Sequence, residues 1–269
     1  MIIQSPKVSI IVTTFNRYEM LSDTLHSILN QSFNNFELII VDNMSSDQTK
    51  HYISSLKDER IRYFRNPNFG VIAINRNLGI LKAKGQYIAF CDDDDLWLET
   101  KLHIQIALLE SDSEVAMCYS QAESFINGLT VKKNMNRKAL WSSHFISLLQ
   151  GNFIPNSSVV IKKTVFKKLG MLTESPCLRE DYEMWLRVSK YFKIVGIQES
   201  LIKYRLHNNN IAGGKVAETK KAIKTLKSLV IPLRIPLYLY VPNLFFQYLK
   251  YFFYSIRSFF NSKQVNGSQ

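Results

Sequence analysis

Four consecutive aspartates, Asp92, Asp93, Asp94 and Asp95, stand between an apolar run ending in Phe90-Cys91 and the pair Leu96-Trp97. Crowding of this kind needs a chemical reason. Two unit charges about 4 Å apart at an effective dielectric of about 20 interact by roughly 4 kcal/mol, and like charges raise each other's pKa. A divalent cation reverses that cost. Alternate residues of an extended segment point the same way, so Asp92 and Asp94 can converge on one ligand. Their hard oxygens suit Mg²⁺ or Mn²⁺, with phosphate oxygens completing the shell. The plainer alternative is a solvated acidic turn or helix start, favoured by the helix dipole.

Four further places carry groups able to join such a site. Asp42 ends the run Leu38-Ile39-Ile40-Val41 and can accept hydrogen bonds from a nucleoside, although Ser46 or Asp47 equally suits a turn and helix cap there. Arg76-Asn77 follows the turn-rich stretch Asn66-Pro67-Asn68-Phe69-Gly70. Arg76 can steady a diphosphate or nucleoside, or pair with the acidic cluster. Glu180-Asp181 opens a helical pattern, where acids also favour the dipole and Trp185 suits a core. A carboxylate there can take the proton of an attacking hydroxyl, which makes Asp181 the candidate base. Tyr204-Arg205-Leu206-His207 offers a cation and an imidazole to a diphosphate or metal, against the ordinary alternative of a surface or core histidine.

The elements that must position these groups follow from the hydrophobic pattern. Segments 8–14, 37–41, 61–64 and 87–91 are continuous apolar runs rich in β-branched residues, as expected of strands covered on both faces. Between them lie helix-length patterns, one reaching residue 31 and others at 47–56 and 71–82; Leu21, Leu25, Ile28 and Leu29 repeat at helical spacing in the first. The expectation is an α/β fold with a mainly parallel central sheet flanked by helices. The carboxyl ends of its strands, which carry Asp42 and the aspartates, line the ligand crevice. A helix at 100–110 and a strand at 115–120 follow, then an irregular polar stretch at 125–137 where the regular rhythm ends. Segments 145–149, 159–161, 181–191 and 194–204 read as helix, strand, helix and strand of an acceptor-side half.

Taken together, Val8-Ser9-Ile10-Ile11-Val12-Thr13-Thr14-Phe15-Asn16-Arg17, the Asp42 segment, Arg76-Asn77, the segment from Asp92 to Trp97 and Glu180-Asp181 resemble family 2 glycosyltransferases in order and spacing. The resemblance covers residues 8–207. It implies a Rossmann-like GT-A fold and transfer of a sugar from a nucleoside diphosphate with inversion at the anomeric carbon. By position, Thr13 and Phe15 border the nucleoside, Asp42 binds its base, and Asp92 and Asp93 approach the ribose. Asp94 holds the metal, and Asp181 is the base. To these the residue chemistry described above adds Arg76 and Arg205 as candidate donor contacts and His207 as a further candidate metal ligand. Asn43 and Met44 replace the more usual acidic and glycine residues after Asp42, and Asp93 stands where a small residue is common, which makes donor identity less readable.

The 269 residues suffice for one substantial α/β domain, 1–215, followed by a tail, 216–269. The tail carries eight Lys/Arg against Glu218 alone, hence +7 of the formal +12, and leaves +5 for the rest. Residues 229–260 are rich in Leu, Ile, Tyr and Phe, but Arg234, Lys250 and Arg257 interrupt them and Pro232, Pro236 and Pro242 are expected to break helices. This pattern predicts attachment at a membrane interface beside a lipid-linked acceptor, with docking on the catalytic domain or formation of a homo-oligomer as alternatives. Nucleic acid is excluded as a partner because the cations concentrate in an aromatic tail while the cleft is acidic. Cys91, Cys118 and Cys177 are too scattered for a disulfide framework, and residues 1–7 carry no leader pattern. The expected location is cytoplasmic, at the inner face of the cell membrane. Two other classes share parts of this pattern: a noncatalytic nucleotide-sugar-binding scaffold, and a sugar nucleotidyltransferase, which lacks its Gly-rich triphosphate loop here.

Overall fold

The computed structural model describes residues 5–132, 143–206 and 214–266. Parallel strands β1 (Val8–Thr14), β2 (Phe36–Asp42), β3 (Ile61–Arg65) and β4 (Tyr87–Asp92) form one half of a sheet in the order β3-β2-β1-β4. Helices α1 (Tyr18–Leu29), α2 (Thr49–Ser55) and α3 (Ile72–Lys82) make the crossovers. The continuous apolar runs are explained by burial on both faces. Ile10, Val12, Leu38, Ile40 and Ala89 pack with Leu21, Leu25 and Ile28 of α1 and with Leu102, Ile106 and Leu109 of α4 (Lys101–Ser111). Ile11, Ile39, Ile88 and Phe90 face the other way, onto Ala73 and Ile80 of α3 and onto Trp185 of α7 (Glu180–Tyr191). Gly79 lets α3 lie directly on β1, because a Cβ there would meet Ile11 Cγ2 at 2.5 Å.

The second half of the sheet is mixed. Beyond β4 come β8 (Val160–Lys162), antiparallel to it, then β6 (Val115–Ile126), β9 (Lys193–Arg205) and the two-residue β5 (Leu96–Trp97). Strands β6 and β9 run parallel with several register shifts. The irregular stretch expected at 125–137 begins instead with a hairpin: β6 continues to Ile126 and returns as β7 (Leu129–Lys132), its turn being Asn127-Gly128 with both φ values positive. Asn-Gly is a strong two-residue hairpin signal and accounts for the difference; residues 133–137 lie outside the described segments. Helices α5 (His144–Leu149) and α6 (Thr164–Leu169) and a 3-10 turn at Asn156–Ser158 complete this half.

Helix α8 (Lys215–Leu229) docks through Ala222, Leu226 and Leu229 on the same core as α7, and Leu233 and Ile235 extend the contact. Pro232 and Pro236 fall between helices, as expected. Pro242 does not break the chain: it lies inside α9 (Leu237–Asn266). Near it the Asn243 side chain donates to the Leu239 carbonyl at 2.7 Å. No helix among the described residues is long and apolar enough to cross a membrane.

Candidate functional site

The site lies at the carboxyl ends of β1, β2 and β4. Strand β4 stops at Asp92 and the chain then turns, the Asp95 N–H donating to the Asp92 carbonyl. The i, i+2 alternation of an extended segment therefore does not apply, and Asp92 and Asp94 do not converge through it. The four carboxylates instead take three directions. Asp92 Oδ1 accepts from Arg76 at 2.6 Å and from Asn156 at 2.8 Å. Asp93 Oδ1 and Asp94 Oδ2 share one Arg17 nitrogen at 3.0 and 3.1 Å. Asp95 turns inward to the Ser157 hydroxyl at 2.6 Å and to the Arg205 backbone N–H at 3.1 Å.

Burial is the main reason why Asp92, Asp93 and Asp95 are pushed above the ordinary carboxylate range, Asp93 to about 6. Neighbouring carboxylates push the same way, while Arg76 opposes the rise at Asp92 and Arg17 opposes it at Asp93. Burial and mutual repulsion thus disfavour the ionised carboxylates of the loop, and a bound divalent cation would relieve both. Among the described residues no group of three or more His, Cys, Asp or Glu forms a cage for a metal. The donor set fits an ion held by one or two carboxylates and completed by substrate phosphates.

Two cavities flank this loop. One, of about 280 Å³, is lined by Thr13, Phe15, Arg17, Asn43, Asn68 and Asp93, and the Phe15 ring is 51% exposed. Asp42 is buried beneath this region: its Oδ1 accepts from the Ser45 N–H and hydroxyl, and its Oδ2 from the Tyr63 hydroxyl. It shapes the loop after β2, and its carboxylate does not line the cavity. The other cavity, of about 450 Å³, is lined by Arg76, Asp92, Asn152, Asn156, Asp181 and Tyr204, among others.

Arg76 joins the two halves of the molecule. Its buried guanidinium, carried by α3, pairs with Asp92 at the end of β4 and with Glu180 at the start of α7. Burial raises the pKa of Glu180, an effect that Arg76 opposes. The pairing sets the first turn of α7 against the acid loop and brings Asp181 into the cavity that holds Asp92. There Asp181 Oδ2 accepts from Asn152 at 2.9 Å and lies 3.9 Å from Arg179. Arg205 clamps the loop from outside: its guanidinium donates to the Asp94 carbonyl and to Asp23, and it covers the Phe125 ring at 4.7 Å. His207 lies outside the described residues.

The structure therefore gathers Arg76, Asp92 and Asp181 in one cavity and Thr13, Phe15 and Asp93 in the other, while Asp94 lines neither and pairs with Arg17, Asp42 is enclosed by Ser45 and Tyr63, and Arg205 holds the Asp94 carbonyl. Sequence reasoning assigned no role to Arg17, Asn152, Asn156, Ser157 or Tyr63. Arg17 stands within the first motif; the others carry no spacing signal, because their partners are distant in the chain.

Residues 9–168 match the family described as Glycosyl transferase family 2. The chain is 31% identical over 230 residues, 83% of its length and 87% of the relative's, to an Escherichia coli protein named UDP-Glc:alpha-D-GlcNAc-diphosphoundecaprenol beta-1,3-glucosyltransferase WfaP. It is also 30% identical over 210 residues, 78% of its length, to an uncharacterized glycosyltransferase of Rickettsia bellii, of which it spans 30%. Among solved structures it is similar to S. aureus TarS 1-349, with TM-score 0.70 and 17% identity, over 93% of this chain and 72% of that one. A mannosyltransferase from Pyrobaculum calidifontis in complex with GDP-Man and Mn²⁺ gives TM-score 0.69 and 14% identity, over 91% and 70%. The fold is the Rossmann-like GT-A arrangement.

Proposed function

The chain belongs to glycosyl transferase family 2, and on that premise we propose that it transfers a sugar from a nucleoside diphosphate donor to a hydroxyl of a glycan carried on a lipid diphosphate, in cell-surface polysaccharide synthesis. The observation that carries this reading is the double pairing of Arg76 with Asp92 and Glu180, which places Asp181 and the acid loop on one cavity.

In the proposed reaction the acceptor oxygen bonds to the anomeric carbon. The carbon's bond to the diphosphate oxygen breaks, and the nucleoside diphosphate departs with the electron pair. The acceptor's proton passes to Asp181, whose hydrogen-bonding partner Asn152 fixes its orientation. A single displacement inverts the anomeric carbon. Phe15 and Thr13 border the nucleoside and Asp93 approaches the ribose, while Asp42 acts through the loop that it organises with Ser45 and Tyr63. Asp94, with His207 as a further candidate ligand, would hold Mn²⁺ or Mg²⁺, an ion that neutralises charge developing on the leaving diphosphate. Arg205 keeps the Asp94 backbone in place through its carbonyl contact.

Helix α9 supports a position at the cytoplasmic face of the membrane. It exposes Leu237, Tyr238, Phe245, Phe252 and Phe253, and no acidic residue occurs after Glu218. Each cation near anionic lipid adds about 1 kcal/mol, and aromatic side chains suit the interface. Full-length protein is expected to sediment with vesicles containing anionic phospholipid, and protein lacking 237–269 to stay in solution; equal recovery of both overturns the attachment.

The activity is tested by incubating the protein with UDP-, dTDP- and GDP-sugars, Mn²⁺ and prenyl-diphosphate-linked acceptor sugars. Nucleoside diphosphate release that requires both acceptor and cation is expected. Release at the same rate without acceptor, or no release from any donor, contradicts the reading.

A further inference from the structure

The cavity beside Asp181 is not walled by the catalytic half alone. Its lining includes Glu218 and Lys221 of α8, the first helix of the basic tail. The helix is fixed there by its buried face on α7 and by the Arg179 N–H, which donates to the Thr225 hydroxyl at 3.1 Å. Glu218 and Lys221 are three residues apart and so share one face of the helix.

The three cations lining this cavity differ in how they are held. Arg76 is saturated by Asp92 and Glu180. The Arg179 guanidinium reaches Glu218 at 3.3 Å and Asp181 at 3.9 Å, and makes no side-chain hydrogen bond among the described residues. Lys221 has no ion pair among the described residues although it lines a cavity with four carboxylates. Arg179 and Lys221 belong to the C-terminal half and stand apart from the nucleotide-side cavity lined by Thr13, Phe15 and Asp93.

Resting on the function proposed above, we propose that Lys221 and Arg179 form the subsite for the diphosphate of the lipid-linked acceptor, so that the tail supplies part of the acceptor site. An acceptor that presents a sugar hydroxyl to Asp181 carries its phosphates in the same cavity, which Arg179 and Lys221 also line. Helix α9 is held against the cavity wall, since Gln247 and Lys250 donate to the Gln150 carbonyl, two residues before the Asn152 that orients Asp181. The exposed aromatic side chains of α9 follow.

The test uses the full chain saturated with Mn²⁺ and the nucleoside diphosphate that it binds, titrated with geranylgeranyl diphosphate and, separately, with uncharged geranylgeraniol. Lys221→Ala should weaken the diphosphate by about tenfold, the size of one lost charge-assisted contact. The alcohol and the nucleotide should bind as in the unmodified protein, and Lys221→Arg should retain diphosphate binding. Equal losses for the alcohol and the diphosphate, or no loss in Lys221→Ala, overturn the subsite. A protein that binds no nucleoside diphosphate in the first step contradicts the function on which the subsite rests, which separates the two failures.

Discussion

The two cavities beside the acid loop are built by different means. The cavity proposed for the nucleotide takes walls from residues that end or directly follow strands of the parallel half: Thr13 and Phe15 at the end of β1, Asn43 after β2, and Asp93 after β4. The cavity proposed for the acceptor is assembled across the chain, with Arg76 reaching Glu180, 104 positions away, and Asn152 reaching Asp181, 29 positions away. The first is positioned by the sheet itself and the second by side-chain pairing. Substitutions on one side should therefore alter donor affinity, and those on the other should alter turnover or the fold.

The largest separation is expected at Asp181. Asp181→Asn should lower kcat by about 10³-fold, within the range for losing a general base, with the donor Kd within about twofold of the original. Turnover of the variant at the original rate would remove Asp181 as the base. Arg76→Leu should act next most strongly, on stability, because it leaves Asp92 and Glu180 without their shared countercharge. Losing one partner of a buried ion pair costs about 3 kcal/mol or more, read from the midpoint of urea unfolding. A midpoint unchanged from the original would show that the two halves are not joined through this residue.

Phe15→Ala should weaken nucleoside diphosphate binding by about tenfold through lost stacking area, while kcat at saturating donor stays the same. A fall in kcat of the same size would erase the distinction between the cavities. A further effect, outside both cavities, concerns Lys101, whose Nζ lies 3.9 Å from the Trp97 ring centroid and 2.6 Å from Gln105 Oε1. Burial lowers its pKa to about 7. Between that value and the ordinary lysine pKa of about 10.4, the unfolded chain binds a proton that the folded chain does not, so stability rises with pH across this window. Lys101→Met should flatten that rise in urea unfolding measured at a series of pH values, and an unchanged slope would show that Lys101 does not titrate there.

The same contrast explains what the sequence disclosed. Strands β1 to β4 are legible because burial on two faces requires continuous apolar runs, and Asp42 and the aspartates mark their ends. The direction of each aspartate was not legible, because the turn after Asp92 replaces the alternation of a strand with contacts to Arg17, Arg76 and Ser157. Asp42 was readable as a strand-end carboxylate, but its enclosure by Ser45 and Tyr63 depends on packing between β2 and β3. In the tail, composition separated residues 216–269 from the rest, whereas Ala222 and Leu226 place α8 on the core of the preceding residues. Helical spacing reveals an apolar face and not the surface that covers it.

The most direct test of the central claim is a calorimetric titration of the protein with UDP-, dTDP- and GDP-sugars, each in Mn²⁺ and in chelator, repeated on Asp94→Ala. The account predicts that one donor class binds in Mn²⁺ and loses about tenfold or more in affinity both in chelator and in the variant. Binding of no donor under any condition, or affinity in chelator or in Asp94→Ala equal to that of the original protein in Mn²⁺, would contradict it.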